Sequence, residues 1–528
     1  MSTSGPRVTA RELALLVALA AYGLFPLVAL LAHAASLHAR FTGADGLIGA
    51  DGVLGADQLQ YLAWVRDAAS HGLASDLFSL SPSGHVYLQP VFAISGALLH
   101  LGLSLPLAYL VWKPVAIVAM FAAAVVWARR TFGDQRAARA AVVALSLFLY
   151  TPLTALFSWT QMGGPSFRFQ LYLLGYELLD ANKLWGYVPS ALGLALIPVV
   201  LLAVERALDR DRGGRPGARP VAVAAAAALL ASWLHPWQGI TLIIILAGLA
   251  VVRRGRGWAA LAVPAVAAAL PLGYYDLLSH SDPAWRLASH YEVIGRLPAL
   301  ALLAGLGPPA LIAAFGVRRP GGVVIEQALL LWAAACLVTY VVNDSFAPHA
   351  LQGLSMPLAV LAVRGWQRLR LPAVLGVAAI ALATIPGLAF DSRKFIRTAN
   401  SSRLVQYYLP ASDAQALDWV TAHAPPGGVL APTPFAVTVP GQTGRRVWVG
   451  HGYWSRDYPG RSREADRLFD GRLRPAAAAR AFVTSTGARL LIADCRHTAD
   501  LARTLRPLVA ATQVFGCARV YILRSASR

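Results

Sequence analysis

The residues best suited to chemistry in this chain are five aspartates within the short segment 43–78. The segment holds a single basic residue, Arg66, although the whole chain carries a formal net charge of +20. A locally acidic segment in a basic chain can supply a carboxylate that accepts a proton from a reacting hydroxyl, or that binds a cation. The five are Asp45, Asp51, Asp57, Asp67 and Asp76.

The first two aspartates belong to a Gly-Ala-Asp triplet that occurs three times and begins at Gly43, Gly49 and Gly55. Glycine accepts positive φ, and aspartate makes local side-chain turns. Asp45 and Asp51 are therefore interpreted mainly as turn residues.

Asp57 stands where this turn-rich stretch ends and a helical pattern begins at Gln58. In that pattern, Tyr61 and Trp64 suit a helix that lies at a membrane–water interface. Asp57 is predicted to be the N-cap of this helix and also a carboxylate held at the membrane surface. The two roles are compatible because a cap fixes the position of the residue. We predict Asp57 as the catalytic residue and Tyr61 and Trp64 as substrate-binding residues.

A second set of candidates lies among Phe, Leu and Tyr residues after the third apolar run. Arg168 and Lys183 are candidates for holding a phosphate, and the alternative is an interfacial helix with solvated charges. Glu177 and Asp180 share a helix face at i, i+3. Together with Asp57 they are candidate ligands of a divalent cation, although no residue pattern demands a cofactor.

Histidines beside aromatic residues form a third group. The turn 235–238 (His-Pro-Trp-Gln) joins two apolar runs, and polar groups at membrane depth are costly unless they are used or paired. His235 is therefore a candidate for contacting substrate, and so is His290 in a later loop. The alternative for each is a structural histidine beside an interfacial ring. Asp344 and His349 belong to a further polar cluster.

These side chains must be positioned by long apolar runs that are separated by Arg-rich or polar breaks. Hydrophobic residues make up 57% of the 528 residues and charged residues only 14%, which excludes a soluble cytosolic enzyme. The runs do not alternate, which excludes an outer-membrane barrel. They predict a polytopic α-helical membrane protein with about eleven spans, and thirteen as the upper count. The runs are 11–34, 105–128, 137–158, 186–204, 221–234, 239–252, 258–275, 297–317, 323–342, 350–363 and 372–390.

Charge predicts the orientation. Basic breaks such as 129–139 are cytoplasmic by the positive-inside rule, and the alternate breaks, richer in acidic and aromatic residues, are then outside. Residues 86–102 are interpreted as a juxtamembrane or re-entrant helix, because counting them as a span would move 129–139 outside. We therefore expect a multi-pass protein of a bacterial plasma membrane, with a cytoplasmic N-terminus and an extracytoplasmic C-terminal domain.

Three regions are predicted: a transmembrane module 1–390 that contains an acidic outer loop 35–85, a linker 391–412, and an α/β domain 413–528. The last region contains Cys495 and Cys517, each near a predicted strand end, either as free thiols or as a disulfide of an oxidising compartment. It also contains a Gly-His-Gly turn with His451 and Trp454, interpreted as a packed turn. Its helices are expected at 411–423, 476–484 and 501–509, and its strands at 429–430, 447–449, 489–493, 512–515 and 519–523.

Other classes of function lack support in the sequence. Of the 46 basic residues 43 are Arg, which is typical of a GC-rich genome, so no nucleic-acid partner is predicted. The sequence has no phosphate-binding loop and no dinucleotide fingerprint after a strand, which argues against an ATP-driven pump and against direct use of nucleotide sugars.

The order of these features resembles the GT-C superfamily of membrane glycosyltransferases. One apolar span is followed by an outer loop with an aspartate beside an amphipathic helix, then by many spans and an outer α/β domain. Residues 86–136 also resemble the mannosyl- and aminoarabinosyl-transferase branch. However, Leu88-Gln89-Pro90 stands in place of Lys-Pro-Pro, and Gln58 follows Asp57 in place of Glu, so the branch is not resolved.

The resemblance implies a transferase that works outside the membrane. Its donor would be a polyprenyl-phosphate sugar in the lipid bilayer, and its acceptor an envelope glycan, lipid or protein. Asp57 matches the catalytic aspartate of the family's first loop, and a bound divalent cation would follow the oligosaccharyltransferase branch. The alternatives are a transporter or flippase of a lipid-linked glycan and a catalytically silent scaffold with the same plan.

Overall fold

The structure is a computed structural model, which describes residues 8–45, 53–210, 217–291, 295–318, 323–399 and 406–524. Asp51, one of the two predicted turn residues, lies outside these ranges. The chain folds into two compact units. Unit 1 comprises Met1–Phe25, Trp112–Asp276 and Val293–Lys394, and unit 2 comprises Pro26–Val111, Leu277–Glu292 and Phe395–Arg528.

Helices dominate the described residues, and the short strands lie near the two ends of the chain. In chain order the helices are α1 (Ala10–Ser36), α2 (Val53–His71), α3 (Pro90–His100), α4 (Leu105–Leu110), α5 (Trp112–Phe132), α6 (Arg136–Phe148), α7 (Pro152–Thr160), α8 (Pro165–Leu178), α9 (Val188–Arg210), α10 (Ala218–Leu234), α11 (Pro236–Val252), α12 (Trp258–Ser281), α13 (Pro283–Tyr291), α14 (Ala299–Gly316), α15 (Val324–Val342), α16 (Ser355–Arg368), α17 (Ala373–Ala399), α18 (Ala411–Ala422), α19 (Thr438–Thr443), α20 (Tyr458–Phe469), α21 (Ala476–Thr486) and α22 (Leu501–Thr504). The strands are β1 (Arg40–Phe41), β2 (Tyr408–Leu409), β3 (Val429–Leu430), β4 (Leu490–Ala493), β5 (Val509–Phe515) and β6 (Ala518–Leu523).

Each of the predicted apolar runs is largely helical, although 105–128 and 137–158 are each divided between two helices. Among the described residues, seven helical segments are long and apolar enough to cross a membrane, or eight if α6 and α7, bent by 45°, form one span. The chain is therefore a multi-pass helical membrane protein. Helices α10 and α11 have 17 residues each and α16 has 14, so the count of eleven stays a prediction.

Residues 86–102 contain α3, which has only 11 residues. At 1.5 Å per residue this helix is about 16 Å long, whereas the hydrocarbon core of a bilayer is about 30 Å thick. Helix α3 is therefore too short to span a bilayer, which fits the predicted juxtamembrane or re-entrant helix.

In unit 1, helix α9 packs against α5 and α10 and is largely buried. Helices α14 and α16 approach each other at two glycines. A Cβ atom on Gly316 would lie 1.9 Å from the carbonyl oxygen of Leu361, and one on Gly365 would lie 2.0 Å from that of Ile312. Small residues let helix backbones touch in membrane proteins, so these glycines set the spacing of the two helices.

Unit 2 contains a four-stranded sheet in the order β3-β4-β6-β5, with β3 and β4 parallel and the other neighbours antiparallel. Its α/β core includes the buried side chains of Leu430, Phe469 and Tyr521. A disulfide joins Cys495 to Cys517, whose Cα atoms lie 4.8 Å apart. Of the two alternatives for these cysteines, the disulfide is therefore the one present.

The C-terminal secondary structure differs from the prediction in several places. The expected strand 447–449 is a single bridge from Val447 to Val429. The expected helix 501–509 ends at Thr504. Strand β5 already begins at Val509, where it pairs with β6. Helices α19 and α20 were not predicted. The predicted boundaries 391–412 and 413–528 stay a prediction; residues 391–399 continue α17, and 408–409 form β2.

Helix α2 also differs from its prediction. It begins at Val53, so Asp57 lies inside the helix and is not its N-cap. A Cβ atom on Gly55 would come within 3.1 Å of the Tyr407 hydroxyl, so this glycine lets the first turn pack closely on Tyr407. Leu59, Leu62, Ala63 and Val65 are fully buried. Helix α2 is thus an internal helix of unit 2, packed against α3, α4 and α19, and not an exposed amphipathic one.

Candidate functional site

The predicted catalytic residue and two predicted substrate-binding residues lie on one face of α2. Asp57, Tyr61 and Trp64 are spaced at i, i+4 and i+7, which places them in one stripe of a helix. The Asp57 side chain is 19% exposed, and Trp64 is buried. A carboxylate therefore remains reachable by solvent at one end of a largely buried stripe.

The partner of Asp57 is a histidine that is 394 residues away in the chain. Nε2 of His451 lies 3.2 Å from Oδ1 of Asp57. Nδ1 of the same ring accepts a hydrogen bond of 3.2 Å from the backbone N–H of Tyr453. A neutral imidazole carries one proton, so this proton lies on Nε2 and is donated to Asp57.

The turn that carries His451 is fixed from several directions. The hydroxyl of Ser455 accepts hydrogen bonds from the backbone N–H groups of Gly450 and His451, at 3.0 and 3.3 Å, and donates one of 2.8 Å to the carbonyl of Phe78. His451 is only 1% exposed. The packed-turn interpretation fits this arrangement, and the turn also holds the imidazole against Asp57.

An aromatic cluster continues the face of α2 beyond Asp57. Trp64 lies 5.5 Å from Trp454 and 5.9 Å from Trp285, measured between ring centroids, and Tyr61 lies 5.0 Å from Phe92. Tyr61 and Trp285 are only partly buried. The cluster comprises Tyr61, Trp64, Tyr87, Phe92, Tyr109, Trp285 and Trp454. Such rings can present flat apolar surface to a sugar or an isoprenoid unit.

Tyr407 places a neutral hydroxyl near the carboxylates of Asp45 and Asp57. Burial raises the pKa of Tyr407, and the charges of Asp45 and Asp57 raise it further. Across the physiological pH range this phenol therefore stays protonated and is able to donate a hydrogen bond.

Unit 1 contains a separate buried polar cluster around Glu177. Its carboxylate accepts hydrogen bonds from Lys183 Nζ at 2.9 Å and Gln352 Nε2 at 2.7 Å, and lies 2.9 Å from Nδ1 of His349. Burial alone would raise the pKa of Glu177, but Lys183 and His349 together bring it well below its ordinary value. Glu177 is therefore ionised, and the predicted phosphate ligand Lys183 is a buried partner of this carboxylate.

Asp180 lies beside this cluster but has different partners. Its carboxylate accepts hydrogen bonds from the Ser355 hydroxyl at 2.6 Å and the Gly353 backbone N–H at 3.1 Å. Burial raises the pKa of Asp180 to about 7. The predicted cation site of Asp57, Glu177 and Asp180 stays a prediction. Within the described ranges, three potential metal ligands lie close together elsewhere, in unit 2.

The remaining predicted residues occupy distinct places. The His235 ring lies 5.5 Å from the His349 ring and 5.2 Å from that of Trp237, so it belongs to the Glu177 cluster. Arg168 is separate from this cluster and donates to the carbonyl oxygens of Gln161 and Gly163 at the end of α7. His290 is exposed on α13. Its role, like those of Arg168 and His235, stays a prediction.

Two groups of hydrogen-bonding partners could not be predicted from the sequence. His451 was noted only as part of a glycine-rich turn, and nothing in the sequence links it to Asp57. Gln352 and Ser355, which bind Glu177 and Asp180, follow the predicted polar cluster that contains His349. A pair of uncharged polar residues at the start of an apolar run was the available signal for them.

No protein-family model matches the chain, and no curated protein matches it. Among solved structures, ArnT from Cupriavidus metallidurans bound to undecaprenyl phosphate is 15% identical over 96% of this chain and 98% of that chain, with a TM-score of 0.48. The oligosaccharyltransferase AglB from Archaeoglobus fulgidus, in complex with an inhibitory peptide and a dolichol-phosphate, is 13% identical over 94% of this chain and 71% of that chain, with a TM-score of 0.43.

At these identities and at TM-scores below 0.5 the likeness carries no argument about this chain. Neither the branch, nor the substrate, nor the role of any residue follows from it.

Proposed function

We propose that this protein is a membrane glycosyltransferase that moves a sugar from a polyprenyl-phosphate donor to a cell-envelope acceptor on the outer face. The observation that carries the proposal is the carboxylate of Asp57, which is reachable by solvent and held by a buried histidine of fixed tautomer. A general base needs this combination of access and fixed orientation.

In the proposed reaction, Asp57 accepts the proton of an acceptor hydroxyl as the hydroxyl oxygen attacks the anomeric carbon of the donor sugar. The bond from that carbon to the phosphate oxygen breaks, and its electron pair leaves with the polyprenyl phosphate. His451 is a positioning residue, because its Nε2–H group orients the carboxylate through a hydrogen bond to Oδ1. The partly exposed rings of Tyr61 and Trp285 offer stacking surface for the substrates.

The disulfide supports an outer location for this site. Structural disulfides form and persist in oxidising compartments and are rare in the cytosol. Cys495 and Cys517 belong to the same compact unit as Asp57 and His451. An extracytoplasmic unit 2 agrees with the orientation predicted from the basic breaks.

For the donor phosphate, we propose Arg168 as the contact among the predicted cations. Lys183 is neutralised by Glu177, whereas Arg168 donates to carbonyl oxygens and, in the described part of the chain, makes no ion pair with a carboxylate. Its guanidinium therefore keeps a full charge that a phosphate can use. His235, which lies beside Glu177, is proposed to contact substrate. His290 is proposed to contact the acceptor.

The test is transfer from a panel of radiolabelled polyprenyl-phosphate sugars by the full-length protein in proteoliposomes. Asp57→Asn should lower kcat by about 100-fold or more, because general-base catalysis typically contributes 10²- to 10⁴-fold. Arg168→Gln should mainly raise the KM for the donor. Movement of lipid-linked sugar without bond chemistry would favour a transporter, and full turnover by Asp57→Asn would remove Asp57 from catalysis.

Variants of His451 separate positioning from general structural damage. His451→Ala should lower kcat by about 10-fold, which corresponds to about 1.4 kcal/mol for a hydrogen bond to a charged group. His451→Gln keeps an N–H donor and should recover most of this loss. Adding His451→Ala to Asp57→Asn should lower kcat no further, whereas independent losses would place the role of His451 elsewhere.

A further inference from the structure

Three metal-ligating side chains converge in unit 2, away from the Asp57–His451 pair. Asp67 and His71 are at i, i+4 on α2, and His85 lies in the loop that follows the helix. Nδ1 of His71 lies 2.9 Å from Oδ1 of Asp67, and Nδ1 of His85 lies 3.0 Å from Oδ2. All three ligand atoms lie within 4.8 Å of one another.

The two imidazoles are arranged alike. Their rings stack with centroids 3.8 Å apart and planes inclined by 20°, so both direct the same nitrogen at one carboxylate. Asp67 is 4% exposed, whereas His71 and His85 are 49% and 34% exposed. A solvated cation can therefore reach the cluster from the side of the histidines, while the carboxylate provides a buried anchor.

The carboxylate is also oriented by neutral groups. The backbone N–H and the hydroxyl of Ser75 donate to Oδ2 of Asp67 at 2.6 and 2.8 Å. Hydrogen bonds of this kind fix the ligating carboxylates of metal sites. The guanidinium of Arg446 is close but directed elsewhere, since it donates to Ser75 Oγ and to the carbonyl of Ser83.

We propose that Asp67, His71 and His85 bind one Zn²⁺ ion, with water completing the coordination. Two imidazoles and a carboxylate suit Zn²⁺, whereas Mg²⁺ and Ca²⁺ prefer oxygen ligands. Zn–ligand bonds of about 2.0–2.2 Å in a tetrahedron place the ligand atoms about 3.3 Å apart. The two imidazole nitrogens lie 2.9 and 3.0 Å from different oxygens of Asp67, and the three ligand atoms lie within 4.8 Å of one another. Side-chain shifts of about 1.5 Å or less therefore bring them to the spacing of a zinc site.

The ion would join the end of α2 to residues 72–89, through His85. Asp57 lies ten residues before Asp67 on this helix, about 15 Å away at 1.5 Å per residue. The ion is therefore too far from Asp57 to take part in chemistry there, and its role is to hold the loop on the helix. This inference does not depend on the proposed transferase activity.

The test uses the full-length protein without an affinity tag, in detergent. The protein is stripped with EDTA, equilibrated with micromolar Zn²⁺ in the presence of millimolar Mg²⁺, and analysed for bound metal. The wild type should hold about one Zn²⁺ per chain, and both His85→Ala and His71→Ala should lose most of it. His290→Ala, which removes an exposed histidine of the same unit, is the matched control and should bind as the wild type does.

A second readout is independent of zinc analysis. Co²⁺ bound to the wild type should give the strong visible absorption of a tetrahedral site, and the spectrum should be lost in His85→Ala. Zn²⁺ should raise the midpoint of thermal unfolding of the wild type but not of His85→Ala, which also reports whether the variant folds. Zinc content unchanged by His85→Ala and His71→Ala, or below a tenth of an equivalent in the wild type, would overturn the proposal.

Discussion

Replacing Glu177 by Gln should destabilise unit 1 strongly. The Glu177 carboxylate carries the negative charge shared by Lys183, His349 and Gln352, and both Glu177 and Lys183 are at most 1% exposed. In Glu177→Gln the ammonium of Lys183 stays buried without a counter-charge. Breaking a buried ion pair by removing one partner costs about 3–5 kcal/mol.

An exposed ion pair of the same chain provides the matched control. Arg40 and Asp418 pair through two hydrogen bonds, but their side chains are 40% and 60% exposed. Because exposed pairs contribute at most about 1 kcal/mol, Asp418→Asn should change stability little. The comparison therefore separates the effect of burial from that of losing a charge.

The assay is thermal unfolding in detergent, followed by tryptophan fluorescence at one scan rate. At roughly 2 °C per kcal/mol for a chain of this size, Glu177→Gln should lower Tm by about 6–10 °C and Asp418→Asn by less than about 2 °C. Lys183→Met in the Glu177→Gln background removes both charges and should restore at least half of the loss. Equal shifts for Glu177→Gln and Asp418→Asn, or a further loss in the double variant, would refute the reasoning.

Two further outcomes follow from packing and titration. Gly316→Ala should lower Tm because its Cβ atom would lie 1.9 Å from a carbonyl oxygen, whereas Gly307→Ala in the same helix meets no atom within 4 Å and should be neutral or stabilising; equal effects would contradict the close contact. Burial raises the pKa of Asp413 from 3.8 to about 7, with the charge of Asp494 adding to the effect. The folded state therefore binds the extra proton, and the contribution of Asp413 to stability is full below about pH 4 and is lost as the pH rises to about 7. Asp413→Asn removes the titrating carboxyl but keeps an acceptor for the backbone N–H of Cys495. Between pH 4 and pH 8 its Tm should therefore fall less than that of the wild type, and an equal fall in both proteins would contradict this.

The apolar helices could be predicted because their signal is local. A run of apolar residues bounded by arginines needs no information from elsewhere in the chain. The start of α2 could not be predicted in the same way. Gly55 disfavours a helix by its own propensity, but the close approach to Tyr407 makes a glycine useful at this point. The contact with Tyr407, far along the chain, therefore allows the helix to begin before Asp57, which lies inside the helix and is not its cap.

The charged residues of unit 1 show a second limit of sequence analysis. The segment that contains Glu177 and Lys183 has the composition of an exposed interfacial helix. Sequence alone does not distinguish a solvated charge from a paired one. In the structure both are buried, and their partners include His349 and Gln352, more than 160 residues away. The sequence indicated which residues carry charge in this region but not which charges neutralise each other.

The two Asp–His arrangements on α2 show how local contacts assign different roles to the same residue types. Nδ1 of His451 is occupied by a backbone N–H, so its proton is held on Nε2 and the buried ring can only orient Asp57. His71 and His85 are partly exposed and direct Nδ1 at Asp67, so either ring can exchange its proton for a metal ion. Zinc removal should therefore loosen the loop while leaving the Asp57–His451 hydrogen bond intact, and an Asp57-dependent step should survive chelation. Loss of turnover on chelation, restored by Zn²⁺ in the wild type and absent in His85→Ala, would instead show that the loop position controls the Asp57 site.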